Sequence, residues 1–137
     1  MAEKFALQII SPERVVFEGE VDAVYAPGAE GEFGVLPGHA PYLVQLKVGE
    51  LRILQNNKWT YAAVSGGFSE VEYKSMKILA EAAELSHEID IDRAKAAKQR
   101  AEEKLKKEKK TEDDEFSLAQ AALQRALNRL KVAERNG

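Results

Sequence analysis

Cysteine is absent from this sequence of 137 residues, and histidine and tryptophan are scarce, with two and one respectively. Without cysteine the chain can build neither a disulfide framework nor a thiol-based active site. His39 and His87 do not have the spacing of a metal-ligand pair, so no metal site is predicted. The net charge of −3 lacks the basic excess that is typical of a primary nucleic-acid-binding protein.

Long apolar segments are also missing. No run approaches the roughly 20 apolar residues that span a bilayer. The first residues, MAEKFALQII, lack the charged region, long apolar core and cleavage site of a secretory signal. We therefore expect a soluble, intracellular protein that reaches a membrane only through its partners.

Residues that punctuate and fill β structure are concentrated before Ser86: all four prolines, eight of the nine glycines and nine of the ten aromatic residues. Short stretches of strand character alternate there with turn signals, at spacings typical of a sandwich or barrel. The predicted strands are KFALQII (4–10), EVDAVYAP (20–27), ELRILQ (50–55), KWTYAAV (58–64), GFSEVEY (67–73) and SMKILAEA (75–82). The sequence therefore predicts an antiparallel β-sandwich domain over residues 1–85.

The residues after Ser86 follow a helical pattern. Asp90 is a candidate N-cap of a first helix, and Thr111, Asp113 or Asp114 could cap a second. Apolar residues recur at spacings of three and four, which places them on one stripe of each helix. The stripes comprise Ile91, Ala94, Ala97 or Lys98, Ala101 and Leu105 in the first helix, and Phe116, Ala119, Leu123, Ala126, Leu130 and Ala133 in the second.

Two helices joined by the short polar run 106–115 predict an antiparallel α-helical hairpin over residues 86–137. Alanine dominates both stripes. At about 0.8 kcal/mol per buried CH₂, alanine contacts gain much less free energy than leucine contacts. We therefore expect a hairpin of marginal stability whose docking is easily reversed.

No catalytic constellation stands out. The glycines of residues 31–38 (GEFGVLPG) lack the Gly-Lys-Ser/Thr ending of a P-loop and do not lead into a helix. The SGG of residues 65–67 is not a nucleophile elbow. We predict no catalytic residues, no required cofactor and no independent enzyme.

Four arginines suggest a binding site for an anion. Arg93 and Arg100 are seven residues apart on the first helix, and Arg125 and Arg129 are four apart on the second. In an antiparallel hairpin they could converge near the start of the first helix and hold a polyphosphate, because arginine matches phosphate geometry and a helix N-terminus favours an anion. The alternative is ordinary surface arginines paired with Glu102, Glu103 or Glu134.

Several motifs in order resemble one family. They are GEFGVLPGHAPYL (31–43), VSGGFSEV (64–71), ILAEAAE (78–84), IDIDRAKAAKQRAE (89–102) and RALNRLKVAE (125–134). Together they resemble the epsilon subunit of bacterial F-type ATP synthase, over essentially the whole chain. The resemblance implies the same fold, an N-terminal β-sandwich and a C-terminal helical hairpin.

The resemblance also implies a function. Members of the family are non-catalytic central-stalk subunits of the proton-translocating enzyme, held peripherally at the cytoplasmic face of the bacterial membrane. They bind the gamma subunit and the ring of c subunits, and rotate with them. Their C-terminal helices fold against the sandwich or extend towards the beta and alpha subunits, and the extended form inhibits ATP hydrolysis.

In some bacterial members the hairpin binds ATP, a regulatory ligand that favours the folded form. The residues that the resemblance assigns to such a nucleotide site are Glu84, Ile89, Asp90, Arg93, Ala94, Arg100, Arg125 and Arg129. Arginines would grip phosphate, Ile89 and Ala94 would contact the base, and Glu84 would bind a polar group of the base or sugar. Two prolines and three glycines predict an irregular loop over residues 30–42 that serves as a partner surface. By the resemblance, Glu32 in this loop would face the c ring and His39 would lie near gamma.

Other hypotheses remain open at this stage, namely a free-standing nucleotide sensor and a plain β-sandwich adaptor with a helical tail. The lysines of the helical region have two readings as well, a solvated face or a contact with an acidic segment of beta. They are Lys95, Lys98, Lys104, Lys106, Lys107, Lys109 and Lys110.

Overall fold

The computed structural model describes residues 3–107 and 114–136, and the chain divides into two compact units, Met1–Leu85 and Ser86–Gly137. The described part of the first unit is built from strands. Their bounds are β1 Phe5–Ile10, β2 Val15–Val21, β3 Ala23–Gly28, β4 Gly31–Val35, β5 Tyr42–Gln55, β6 Lys58–Val71, β7 Ser75–Ala80 and β8 Ala83–Leu85.

The strands form one continuous sheet in the order β2-β1-β7-β6-β5-β3-β4, and β8 pairs with β6. The pairs are antiparallel except for β1 with β7, which is parallel. Side chains from both halves of the sheet enter one apolar core, which includes Leu7, Val24, Leu51 and Ile78. The sheet therefore folds over on itself as a β-sandwich, in agreement with the predicted fold.

Gly66 and Gly67 lie where β6 changes its partner from β8 to β7, and the pairing of β5 with β6 skips Lys47 and Gly66 there. Gly67 has a φ of +123°. A Cβ atom at Gly67 would lie 2.1 Å from the carbonyl oxygen of Leu79, so only glycine fits. The glycine pair lets one long strand serve both layers of the sandwich.

The structure corrects several predicted strand bounds. Residues 20–27 do not form one strand, because β2 ends at Val21 and β3 begins at Ala23. The two strands predicted on either side of SGG are the single strand β6. The structure adds most of β2, β4, the first half of β5 and β8, whose glycines or short length obscured their pattern.

The second unit contains helix α1, Ile91–Lys107, and helix α2, Asp114–Ala133. A 3₁₀ turn, Ser86–Glu88, precedes α1, and another, Glu134–Asn136, follows α2. The two turns contact each other and the helices pack together, so the helices are antiparallel as predicted. Of the residues predicted as caps or lysine contacts, Lys109, Lys110, Thr111 and Asp113 lie outside the described residues.

Buried side chains of the two helices are mostly alanines: Ala94, Ala101, Ala119, Ala126 and Ala133, with Val132. We call the contact line between α1 and α2 the seam. Leu105, Phe116, Leu123 and Leu130 are only half-buried beside it. Ile91, which we predicted on the stripe of α1, is 46% exposed, because it lies about 60° around the helix from Ala94. Within the described residues neither helix is long and apolar enough to cross a membrane.

Asp90 caps α1 as predicted. Its carboxylate oxygen Oδ1 accepts a hydrogen bond of 3.0 Å from the backbone N–H of Arg93. Its backbone carbonyl accepts the first bond of the helix, also 3.0 Å, from the N–H of Ala94. Such a cap satisfies one of the N–H groups that a helix start leaves without an intrahelical partner.

Replacing Asp90 with alanine should destabilise the helical unit by about 1 kcal/mol, because the Arg93 N–H loses its acceptor. Urea titration of the full chain, followed by the helical circular-dichroism signal, measures the loss. Asp90→Asn is the matched control, since it keeps the capping oxygen and removes the charge. A loss of equal size in both variants would assign the effect to charge and refute the cap.

Candidate nucleotide-binding and partner-binding sites

The arginines of α1 lie on one flank of the seam. Arg93 directly precedes buried Ala94, and Arg100 directly precedes buried Ala101. Each arginine is therefore about 100° around the helix from the seam, in the same direction. Both side chains are exposed.

The arginines of α2 have a matching position. Arg125 directly precedes buried Ala126, and Arg129 follows it by three residues, which places both on the same side of that alanine. In an antiparallel pair of helices, residues that are offset from the seam in the same rotational direction around each helix lie on the same flank of the pair. The fold therefore directs all four predicted arginines to one flank, which we call the arginine flank.

The opposite flank carries a different set of groups. An open cavity there is lined by Lys95, Lys98, Gln99, Glu102, Glu103, Lys106 and Leu130. Three lysines and two glutamates line this cavity, so their charges largely cancel and favour a polyphosphate less than four arginines do. Exposed Asp92 precedes Arg93 by one residue, and the carboxylate of Asp90 caps the start of α1 beside the same arginine. The two flanks of the hairpin are therefore chemically distinct.

The other residues assigned to a nucleotide site are either buried or belong to the other unit. Ala94 is fully buried and Ile89 is 7% exposed, so neither offers an apolar surface to a base while the hairpin is closed. Glu84 lies on β8 in the first unit and is half-buried, whereas the other seven residues belong to the second unit. Asp90 and the four arginines lie in the same unit, and the helix geometry places the arginines on one flank of the seam.

The segment 30–42 is only partly the irregular loop that we predicted. Residues 31–35 form β4, paired regularly with β3, and the irregular part is 36–41. The glycines that suggested a loop are compatible with this edge strand because Gly34 leaves room for a neighbouring aromatic ring. A Cβ atom at Gly34 would lie 2.8 Å from the ring of Tyr25.

Glu32 and His39 are therefore in different kinds of structure. Glu32 lies on β4 and forms an ion pair of 3.0 Å with Arg52. His39 lies in the irregular part, where its Nδ1 is 3.1 Å from the carbonyl oxygen of Ala40 and its ring is 4.9 Å from that of Tyr42. Burial raises the pKa of the Tyr42 phenol. Both predicted residues are held by contacts within the unit.

A row of exposed apolar side chains crosses four strands of the sandwich, and the sequence did not reveal it. Ile10 pairs with Val15 of β2 on one side and with Leu79 of β7 on the other, and Leu79 pairs with Phe68 of β6. Val15, Leu79 and Phe68 are 51%, 47% and 50% exposed. We call these four residues the apolar row.

A polar row runs beside the apolar row. Glu18 pairs with Gln8, Gln8 with Lys77 and Lys77 with Glu70. Gln8 Nε2 donates a hydrogen bond of 2.7 Å to Glu18 Oε2. An apolar centre with a polar border is the composition of a protein–protein interface.

Two family models match the chain. The model of the ATP synthase, Delta/Epsilon chain, beta-sandwich domain matches residues 4–86. The model of the ATP synthase, Delta/Epsilon chain, long alpha-helix domain matches residues 87–134. The two matches follow the two units of the structure.

Curated relatives match over their whole length. The ATP synthase epsilon chain of Desulforamulus reducens is 50% identical over 134 residues, which cover 98% of this chain and 100% of the relative. That of Syntrophobacter fumaroxidans is 54% identical over 135 residues, which cover 98% of this chain and 99% of the relative.

Solved structures have the same fold. A chain in the structure of Euglena gracilis mitochondrial ATP synthase, OSCP/F1/c-ring, superposes with a TM-score of 0.78 at 25% identity, over 96% of this chain and 81% of that one. A chain in the central stalk and c-ring of the Tetrahymena thermophila enzyme gives 0.56 at 13% identity, over 98% of this chain and 96% of that one, a likeness of fold. With both family models and full-length relatives in agreement, this chain belongs to the ATP synthase delta/epsilon family, as an epsilon chain.

Proposed function

We propose that this chain is a non-catalytic rotor subunit in the central stalk of a proton-translocating F-type ATP synthase, where it links gamma to the c ring. The observation that carries the proposal is the apolar row across β2, β1, β7 and β6. Leaving three large apolar side chains about half exposed on one sheet face is costly in water unless a partner covers them. Gamma is the partner that the family implies for this unit.

The position proposed for the c ring is the other part of the sandwich, around Glu32 on β4. Its side chain is 54% exposed, although it is paired with Arg52, so its carboxylate is accessible to a partner. His39, in the irregular part of 36–41, is proposed to lie near gamma. A subunit held by both contacts would sit peripherally at the cytoplasmic face of the bacterial membrane.

The helical unit is proposed to regulate hydrolysis. Because its alanine-rich seam buries little apolar area, separating the two helices costs little free energy. The helices can therefore leave the folded form and extend towards the beta and alpha subunits. Lysines at 95, 98, 104, 106 and 107 would then meet an acidic segment of beta. Four of these lysines are exposed and therefore accessible for such a contact, namely Lys95, Lys104, Lys106 and Lys107.

ATP is proposed as a regulatory ligand of the folded form. The support is the arginine flank, where four guanidinium groups can neutralise phosphates beside the capped start of α1. Because Ala94 and Ile89 are buried, we propose that contacts to phosphate dominate and that contacts to the base are minor. ATP at 100 times its dissociation constant would stabilise this form by about 2.7 kcal/mol.

Serine at both Phe68 and Leu79 should weaken binding to gamma by about tenfold to a hundredfold. Full burial of such a side chain contributes about 1.5–3 kcal/mol, and about half of that remains for binding because both side chains are already half-buried. Each 1.4 kcal/mol is a tenfold change. Calorimetric titration of purified gamma with the full chain measures the change. Leu118→Ser is the matched control, since Leu118 is 66% exposed and lies on α2, outside the sandwich.

Equal affinity for gamma in the double variant and the control would remove the apolar row from the interface. A wild-type chain that does not bind gamma at all would contradict the proposed rotor function itself.

ATP at millimolar concentration should raise the melting temperature of the full chain, and Arg93→Ala or Arg129→Ala should remove most of that rise. Differential scanning calorimetry with and without ATP measures both. Lys95→Ala is the control for charge, because Lys95 lines the cavity on the opposite flank. If ATP shifts no melting temperature, or if Lys95→Ala removes as much of the shift as Arg93→Ala, the arginine flank is not a nucleotide site.

A further inference from the structure

Arg52 lies at the centre of a cluster on the sandwich of which the proposed function uses only Glu32. Its guanidinium carbon is 4.9 Å from the centre of the Tyr25 ring and 5.8 Å from that of the Trp59 ring. The two rings are 6.0 Å apart. Arg52 Nη2 donates a hydrogen bond of 3.0 Å to Glu32 Oε1. One guanidinium therefore contacts two aromatic rings and one carboxylate.

The strand register builds this cluster. Tyr25 of β3 pairs with Arg52 of β5, and on its other side with Gly34 of β4. Trp59 of β6 pairs with Leu54, two residues beyond Arg52 on the same face of β5. The absence of a side chain at Gly34 is required, because a Cβ atom would lie 2.8–3.0 Å from atoms of the Tyr25 ring.

The two aromatic rings reduce the entropy that is lost when Arg52 pairs with Glu32. An exposed pair is usually weak, since its gain is offset by the entropy lost when two long side chains take one geometry. Arginine stacks on aromatic faces through its planar group, and a stacked guanidinium has already lost most of that freedom. Glu32 therefore meets a donor that is held in place, although the side chains of Arg52 and Glu32 are 32% and 54% exposed.

We propose that Arg52, held by Tyr25 and Trp59, is a positioning residue that fixes the carboxylate of Glu32 for its contact with the c ring. The inference rests on the proposed function, which gives Glu32 that contact. If Arg52 plays this role, the c ring meets a Glu32 carboxylate that is already ordered, and the Glu32 side chain loses less rotamer entropy on binding. Arg52 itself acts through Glu32.

The test is a set of variants in the assembled complex. F1 carrying each variant of the full chain is titrated onto membranes that contain the c ring and have been stripped of F1. Arg52→Gln should weaken this attachment by about threefold to tenfold, within the range of losing one ordered side chain. Glu32→Gln should weaken it at least as much, and the double variant should match Glu32→Gln alone, since residues that act as a unit are not additive.

Two variants separate positioning from charge. Trp59→Leu and Gly34→Ala keep both charges, yet should weaken attachment by a similar factor, because they disturb the rings that hold Arg52. Arg52→Lys should recover only part of the affinity, since an ammonium lacks the planar stacking group. Lys47→Gln, which removes an exposed cation from the same strand, should leave attachment within twofold of wild type.

A second readout does not depend on the c ring. In the isolated full chain, NMR relaxation of the Arg52 side-chain Nε–H should show an ordered group. Trp59→Leu and Gly34→Ala should each lower the order parameter of this group. The melting temperature of each variant is measured as well, to exclude a general loss of stability. A mobile Arg52 in the wild-type chain would overturn the proposal.

The attachment experiment distinguishes two failures. If Glu32→Gln weakens attachment and Arg52→Gln matches Lys47→Gln, the positioning role is wrong and the proposed contact of Glu32 stands. If Glu32→Gln leaves attachment unchanged, the contact of Glu32 is wrong, and the role of Arg52 is overturned with it.

Discussion

The small side chains along the seam set how firmly the helical unit is held together. Ala94 and Ala101 on α1, with Ala119 and Ala126 on α2, let the two backbones approach closely but bury little apolar area. The sandwich is built the opposite way, around fully buried side chains such as Leu7, Leu51 and Ile78. Two units of very different expected stability therefore lie in one short chain.

This contrast suits the function that we propose. A subunit that turns with the stalk needs one unit that keeps its surfaces in a fixed relation, and the single core beneath both halves of the bent sheet supplies that. Regulation needs a second unit whose folded form can be gained or lost for a few kcal/mol. The arginine flank gives that form a chemical means of responding to a polyphosphate.

The sequence was most informative where structure is local. The Asp90 cap and the strands β1 and β7 follow from neighbouring residues and their alternation, and they were predicted correctly. Strand β4 was missed because Gly31 and Gly34 suggest a loop, although Gly34 makes room for the Tyr25 ring. The apolar row could not be predicted, because it depends on the parallel pairing of Ile10 with Leu79, which are far apart in sequence. The cluster around Arg52 is hidden for the same reason, since it draws on four strands.

Native-state hydrogen exchange of the full chain, without partners or nucleotide, tests the central claim most directly. Amides of elements that open locally exchange with a lower free energy than amides that need global unfolding. We predict that the slowest amides of α1 and α2 exchange with an opening free energy at least about 2 kcal/mol below that of the slowest amides of β1, β6 and β7. Equal opening free energies in the helices and the sheet, with the same dependence on denaturant, would show one cooperative unit and contradict the account.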